Sequence, residues 1–416
     1  MTIRRQSRGS VLHTEHDRDL GGAVEATRRS LIGAVAAQAA RTASAGPVPP
    51  RGPSADLSPL ERDLTIVRPD TGAPVAAQVT LAEALRTLNI PSVGIALIEA
   101  GELAWARAHG AGTSTGTLYQ AASLSKTVAA VAALCLVQQK RLDLDTDVNA
   151  RLTSWHIPRG NPDSGGPVTL RGLLSMTGGI GVPGYLGYPP GAPLPNLVQI
   201  LDGTPPANSP PVRIEYAPGS RYAYSGGGYE IVQALVEAAT GQPFADALQA
   251  LVLRPAGMTA SLFAQPLPTV LASQAAPGHD AAGTALAGGW RVFPELAAAG
   301  LWSVPTDLGR LLVQIMRAYR GAAGAVLEPW VARAMLTRQN GGPYGLGAAV
   351  AGSGRNLVLM KSGQNVGYQG YMLVFPEAGQ GIVVMTGSDN GNMLSAALIR
   401  RAAALYRWPP LGPLLP

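Results

Sequence analysis

Apolar, β-like runs fall in two groups at opposite ends of this chain, at 93–98 and 103–108 and again at 357–361, 368–375 and 381–386. The segments between the two groups read as helix or loop. Strands need partners, because backbone N–H and C=O groups left unpaired in an interior are costly. Strands gathered at both ends with helices between them predict one antiparallel sheet built from the two ends, with the helical insertion forming a second lobe. The expected class is α/β: an antiparallel sheet flanked by helices, with an inserted all-helical lobe over about 135–340. A chain of 416 residues can bury the core this needs, and a cleft between lobes is a usual place for a ligand site.

Helical apolar spacing marks 80–88, 123–139, 228–240, 243–253, 305–319, 328–339 and 393–406. The 123–139 run contains neither Gly nor Pro and opens on Ser123. Residues 178–213 are dense in Gly and Pro and lack periodicity; a stretch this long between periodic segments reads as a functional loop.

Composition excludes several classes. With 46% hydrophobic and 14% charged residues, the chain is expected to fold as a globular protein. The first 45 residues carry seven arginines against four acids, half of the net charge of +6. The remainder shows no basic run with interleaved aromatics, so no nucleic-acid partner is expected. Cys135, the single cysteine, excludes an internal disulfide and lies on an apolar helix face, which predicts a buried structural thiol. The five histidines show no ligand spacing, so neither a metal nor a cofactor is expected.

The amino-terminal stretch reads as a twin-arginine export signal over 1–45: Arg28-Arg29, a short apolar segment, then the small-x-small site Ala43-Ser44-Ala45. An alanine-rich amphipathic helix is the competing reading. A Pro-rich linker follows at 46–60, then the folded domain at 61–416. The expectation is a periplasmic or extracellular protein with no membrane span in the mature chain.

Only three of the 32 basic side chains are lysines, and two of these sit beside hydroxyl-bearing motifs. Lys126 closes Ser123-Leu124-Ser125-Lys126, where a helix start favours negative charge and the amine, one turn on, reaches the hydroxyl. A desolvated amine can lose its proton and act as a base on serine, which a guanidinium cannot. Lys361 opens Lys361-Ser362-Gly363 at the end of a strand-like run, and its glycine allows a substrate backbone to approach. The N–H groups of Gln364 and Ser123 are candidates for an oxyanion hole. Between the lysines lies Tyr224-Ser225-Gly226, whose phenol is a candidate proton relay; Tyr222 and Tyr229 compete with it. Taken singly, the motifs also fit a helix cap, a glycine turn and a strand end. Ser388-Asp389-Asn390 reads as a polar turn.

In this order, the three motifs resemble the serine β-lactamase-related family of class C β-lactamases, D-alanyl-D-alanine carboxypeptidases, D-aminopeptidases and lactamase-like esterases. The likeness covers about 90–405 and includes Leu142 to Asp145, Val168 to Gly178, Thr240 to Phe244, Ala298 to Trp302, Thr306 to Leu308 and Lys361 to Pro376. It implies an acyl-enzyme mechanism without metal. Ser123 would be the nucleophile, Lys126 and Tyr224 the acid/base groups, and Lys361 an electrostatic and substrate-binding group, with Ser362, Gly363 and Gln364 beside it. Two departures stand out. Gly226 replaces the family's usual Asn, and Lys361 stands where many relatives carry His. The expected activity is cleavage of an ester or a D-amino-acid amide, with a small-molecule ester, peptide or β-lactam as the ligand, and Gly226 weighs against efficient β-lactam hydrolysis. An acyltransferase using the same site and a non-turnover penicillin-binding protein are the alternatives.

Overall fold

The two strand groups do meet. The computed structural model describes residues 59–68, 70–158 and 166–411; the export-signal reading and most of the linker lie outside these residues, although Leu60 is fully buried. Strands β1 (Leu64–Val67) and β2 (Pro74–Val79) form a separate two-stranded sheet. The main sheet is formed by β3 (Val93–Glu99), β4 (Glu102–His109), β8 (Ala349–Ala351), β9 (Val358–Asn365), β10 (Tyr368–Phe375) and β11 (Gln380–Thr386). Its six strands run in the order β4-β3-β11-β10-β9-β8, every neighbouring pair antiparallel. The β3–β11 ladder joins the two chain ends, with Val93 opposite Thr386 and Ile98 opposite Gly381.

Successive side chains of a strand point to opposite faces, and the sheet is covered on both. Helix Pro305–Tyr319 packs on β3, β4, β10 and β11, where Gly94 leaves room for the Pro305 ring. Helix Gly391–Tyr406 packs on β10 and β11, with Gly391 against Thr386 and Gln369, which alternate with the residues of the first face. It also covers β1, whose Leu64 and Ile66 are buried.

The second lobe centres on helix Ser125–Gln138, in which every residue from Ser125 to Val137 is buried. A helix apolar on all sides belongs in a core, and helices Gly227–Thr240 and Leu296–Ala299 pack around it. Cys135 is buried as expected, and burial pushes its thiol up to about 12. The lobe is helical with one addition: β5 (Tyr119–Gln120), β6 (Leu262–Phe263) and β7 (Leu301–Ser303) form a small sheet in the order β5-β7-β6.

The structure corrects three local expectations. The α-helix begins at Ser125, after a 3-10 turn over Ala122–Leu124, so Ser123 lies in the turn. Helix Pro329–Met335 stops short of 339 because the Gln339 side-chain amide caps the carbonyls of Ala334 and Thr337. Lys361-Ser362-Gly363 lies inside β9, not at its end, because pairing with β10 continues through Asn365.

That last point fixes how the lobes meet. Gly363 faces Gly370 across the β9–β10 ladder. A Cβ on Gly363 would sit 2.5 Å from the Ala121 carbonyl oxygen and 3.0 Å from the Ser123 nitrogen. A Cβ on Gly370 would sit 3.0 Å from Leu124 Cδ1. The two glycines clear the space in which the 121–124 turn rests on the sheet. Gly363→Ala forces a methyl group against backbone that cannot swing aside, so it should destabilise the fold by about 1–3 kcal/mol. Urea unfolding should show a lower midpoint at unchanged slope; an unchanged midpoint would refute this close contact.

Candidate active site

The Ser123 turn is held from below by Ser125. Its hydroxyl donates to the Ala122 carbonyl at 2.5 Å and accepts from the Leu301 N–H at 3.1 Å, tying the turn to β7. Ala122 has φ of 49°, a left-handed conformation that costs a non-glycine residue energy and persists only where the surroundings enforce it. One turn on, Lys126 Nζ stands 3.1 Å from Ser123 Oγ and 2.7 Å from the Ala298 carbonyl oxygen. Lys126 is 2% exposed and Ser123 7%, so hydroxyl and amine meet with little water around them.

Tyr224 reaches the same place from the irregular segment just before helix Gly227–Thr240. Met176 and Val182 also adopt positive φ, 63° and 57°, and both hold the segment around Tyr224. The Met176 carbonyl accepts from the Ala223 N–H, and its sulfur from the Ser225 N–H. The Val182 carbonyl accepts from the N–H groups of Gly226 and Gly227. Strained residues at three points around one site are where backbone conformation is enforced for function more often than by chance.

Lys361 Nζ donates to the Tyr224 hydroxyl at 3.1 Å and to the Ser362 carbonyl at 2.8 Å. Lys126 Nζ lies 5.3 Å from the centroid of the Tyr224 ring and Lys361 Nζ 5.0 Å, so both amines reach the phenol. All four candidates, Ser123, Lys126, Tyr224 and Lys361, are therefore together. Ser362 and Gln364 flank Gly363 on the strand that approaches the Ser123 nitrogen. The competing tyrosines lie close by: Tyr229 is fully buried, its hydroxyl donates to the Leu174 carbonyl and its ring centroid is 5.7 Å from Lys126 Nζ, while Tyr222 packs on Tyr344, which also meets Tyr224. Ser388-Asp389-Asn390 is a turn, in which Asp389 accepts from the Gly367 N–H.

Sequence reasoning missed a group of buried acids behind Lys126. Glu230 is fully buried; one carboxyl oxygen accepts from the Ala298 N–H at 3.0 Å and the other has no hydrogen-bond partner. The backbone N–H and carbonyl of one residue, Ala298, thus link Glu230 to Lys126. Glu295 is fully buried, and neither its carboxyl oxygens nor the enclosed Tyr185 hydroxyl has a side-chain hydrogen-bond partner among the described residues. Burial, and then the Glu295 carboxyl, push Glu230 well above the usual carboxylate range. Nothing in the helical run 228–240 separates Glu230 from an ordinary solvent-facing acid, so no sequence signal marks it.

Comparison with known proteins gives the family and the fold. The β-lactamase family model matches residues 78–407, most of the chain, and this protein belongs to the β-lactamase family. Esterase EstB from Burkholderia gladioli is 33% identical over 214 residues, covering 48% of this chain and 53% of that protein. A putative D-alanyl-D-alanine carboxypeptidase from Escherichia coli (strain K12) is 29% identical, covering 62% of each chain. The matched part thus spans about half to three-fifths of these curated relatives. The octameric penicillin-binding protein homologue from Pyrococcus abyssi shares the fold at a TM-score of 0.63 and 22% identity, over 80% of this chain and 77% of that one. A penicillin-binding protein from Bacillus halodurans does so at 0.57 and 20%, over 78% and 98%. Among the described residues, no helix is long and apolar enough to cross a membrane.

The acids give a pH prediction. Burial pushes the Glu295 carboxyl up from 4.5 to about 8, so between these values the native state holds a proton that the unfolded chain has released. Stability from this group is therefore lost as pH rises through that window, by an amount on the order of 3–5 kcal/mol when complete. Glu295→Gln should gain stability relative to the unsubstituted protein between about pH 5 and pH 8, by at least about 1 kcal/mol in urea titrations. A difference that stays constant with pH would contradict the buried, protonated acid.

Proposed function

We propose that this protein is a serine hydrolase that forms an acyl-enzyme on Ser123 and cleaves an ester or a D-amino-acid amide. The observation that carries the reading is the hydrogen bond between the buried Lys126 amine and the Ser123 hydroxyl, with the Tyr224–Lys361 pair beside it. The names of the esterase and carboxypeptidase relatives agree with it.

In the first half-reaction, Ser123 Oγ attacks the carbonyl carbon and its proton passes to the uncharged Lys126 amine. Burial disfavours the charged form of an amine and so suits this role. The oxygen that becomes negative is met by the N–H groups of Ser123 and Gln364. The bond to the leaving group then breaks, and the leaving oxygen or nitrogen takes the Tyr224 proton. Lys361 stabilises the phenolate until it recovers a proton from Lys126. Water repeats the sequence on the acyl-enzyme, releasing the acid and restoring Ser123. Lys361 and Ser362 on β9 would orient a substrate carboxylate or carbonyl. The Arg28-Arg29 run and the small-residue site before residue 46 support export of the domain.

Hydrolysis of p-nitrophenyl acetate tests the reading. Ser123→Ala and Lys126→Ala should each lower kcat/KM by about a thousandfold or more, as expected when members of one catalytic unit are removed. Rates equal to those of the unsubstituted protein would remove Ser123 from the chemistry.

A further inference from the structure

Gly226 has φ of −73° and ψ of −41°, a conformation open to any residue, so its backbone does not call for glycine. Its surroundings do. A Cβ there would sit 3.0 Å from Tyr185 Cε2 and 3.4 Å from both Tyr185 Cδ2 and Gly184 Cα. The edge of the Tyr185 ring occupies the space into which a side chain at 226 would grow, two residues from the Tyr224 phenol.

Four polar groups of the Gly226 segment are already engaged. The N–H groups of Gly226 and Gly227 go to the Val182 carbonyl, that of Gly228 to Ser225 Oγ, and the Ser225 hydroxyl donates to the Gly181 carbonyl. Tyr185 itself is half-buried while its hydroxyl is enclosed. What the side chain shows to solvent is therefore ring carbon. The hydroxyl lies within electrostatic reach of Glu230 and Glu295, and burial, followed by these two acids, keeps the phenol uncharged. Tyr185 thus has its polar end enclosed near the acids behind Lys126 and its ring edge against Gly226, two residues from Tyr224.

We infer that Tyr185, lodged over Gly226, is a specificity-determining wall that selects substrates with a plain hydrocarbon acyl chain over those with an acylamino group next to the scissile carbonyl. The inference rests on the hydrolase reading and names the substrate class for that site. An acylamino group lying along the Tyr185 ring would meet carbon where its amide needs hydrogen-bond partners, a loss that a hydrocarbon chain of the same length does not incur.

Two p-nitrophenyl esters of matched acyl length separate the cases, the pentanoate and the N-acetylglycinate. Each kcat/KM is divided by that ester's own hydroxide-catalysed rate, with the Ser123→Ala protein as background. The unsubstituted protein should favour the pentanoate by about tenfold or more, the discrimination an unpaired amide produces. Gly226→Asn, which must displace the ring and brings an amide of its own, should lower that ratio by about tenfold, and Tyr185→Ser should lower it in the same direction. A Ser123-dependent rate with a ratio near one in the unsubstituted protein overturns the acyl preference and leaves the hydrolase reading standing. A ratio unchanged in active Gly226→Asn or Tyr185→Ser protein overturns the role of Tyr185. Rates that do not depend on Ser123 overturn the hydrolase reading, and this inference with it.

Discussion

The structure depends on one close approach, the backbone of β9 pressed against the turn that carries Ser123. No side chain fits at Gly363, because its Cβ would fall 2.5 Å from a carbonyl oxygen. The facing Gly370 gives way to Leu124 in the same manner. This contact brings a strand from the carboxyl-terminal group against the first turn of the most buried helix in the second lobe. Lys361, two residues from Gly363 and on the same face of β9, is carried to Tyr224 by that register alone. The geometry of the site is therefore a consequence of how sheet and lobe dock.

The docking has an electrostatic side. Two buried lysines stand close together, with hydrogen bonds to a serine, a phenol and carbonyl oxygens. Glu230 reaches Lys126 through the Ala298 peptide. Burial pushes its carboxyl well above the usual carboxylate range, which disfavours a negative charge that would hold the amine in its charged form. An acid ionised in the same place would favour the ammonium and work against a general base.

Much of this was legible in the residues, for physical reasons that differ from element to element. Strand β10 and helix Pro305–Tyr319 run over the same residues as their apolar patterns, because both lie in the core, and proline at the helix start marks its boundary. β2 was not legible: its residues are largely exposed, so no alternation distinguishes it. β1 is too short at four residues to establish a period. Ser123, Lys126, Tyr224 and Lys361 could be read because each belongs to a short motif in a fixed order. Tyr185, Glu230 and Glu295 could not, since they come from three separate segments and acquire their meaning only by being buried together. The reason for Gly226 was equally hidden; its explanation lies in the ring of Tyr185 and not in its own backbone.

The central claim is that the Ser123 hydroxyl, activated by the Lys126 amine, is the nucleophile of this fold. Labelling the full chain with a fluorophosphonate and mapping the adduct by peptide mass spectrometry tests it most directly. The account predicts a single adduct on Ser123, lost when Lys126 is replaced by alanine. An adduct on a different residue, or equal labelling of the Ser123→Ala protein, would contradict it.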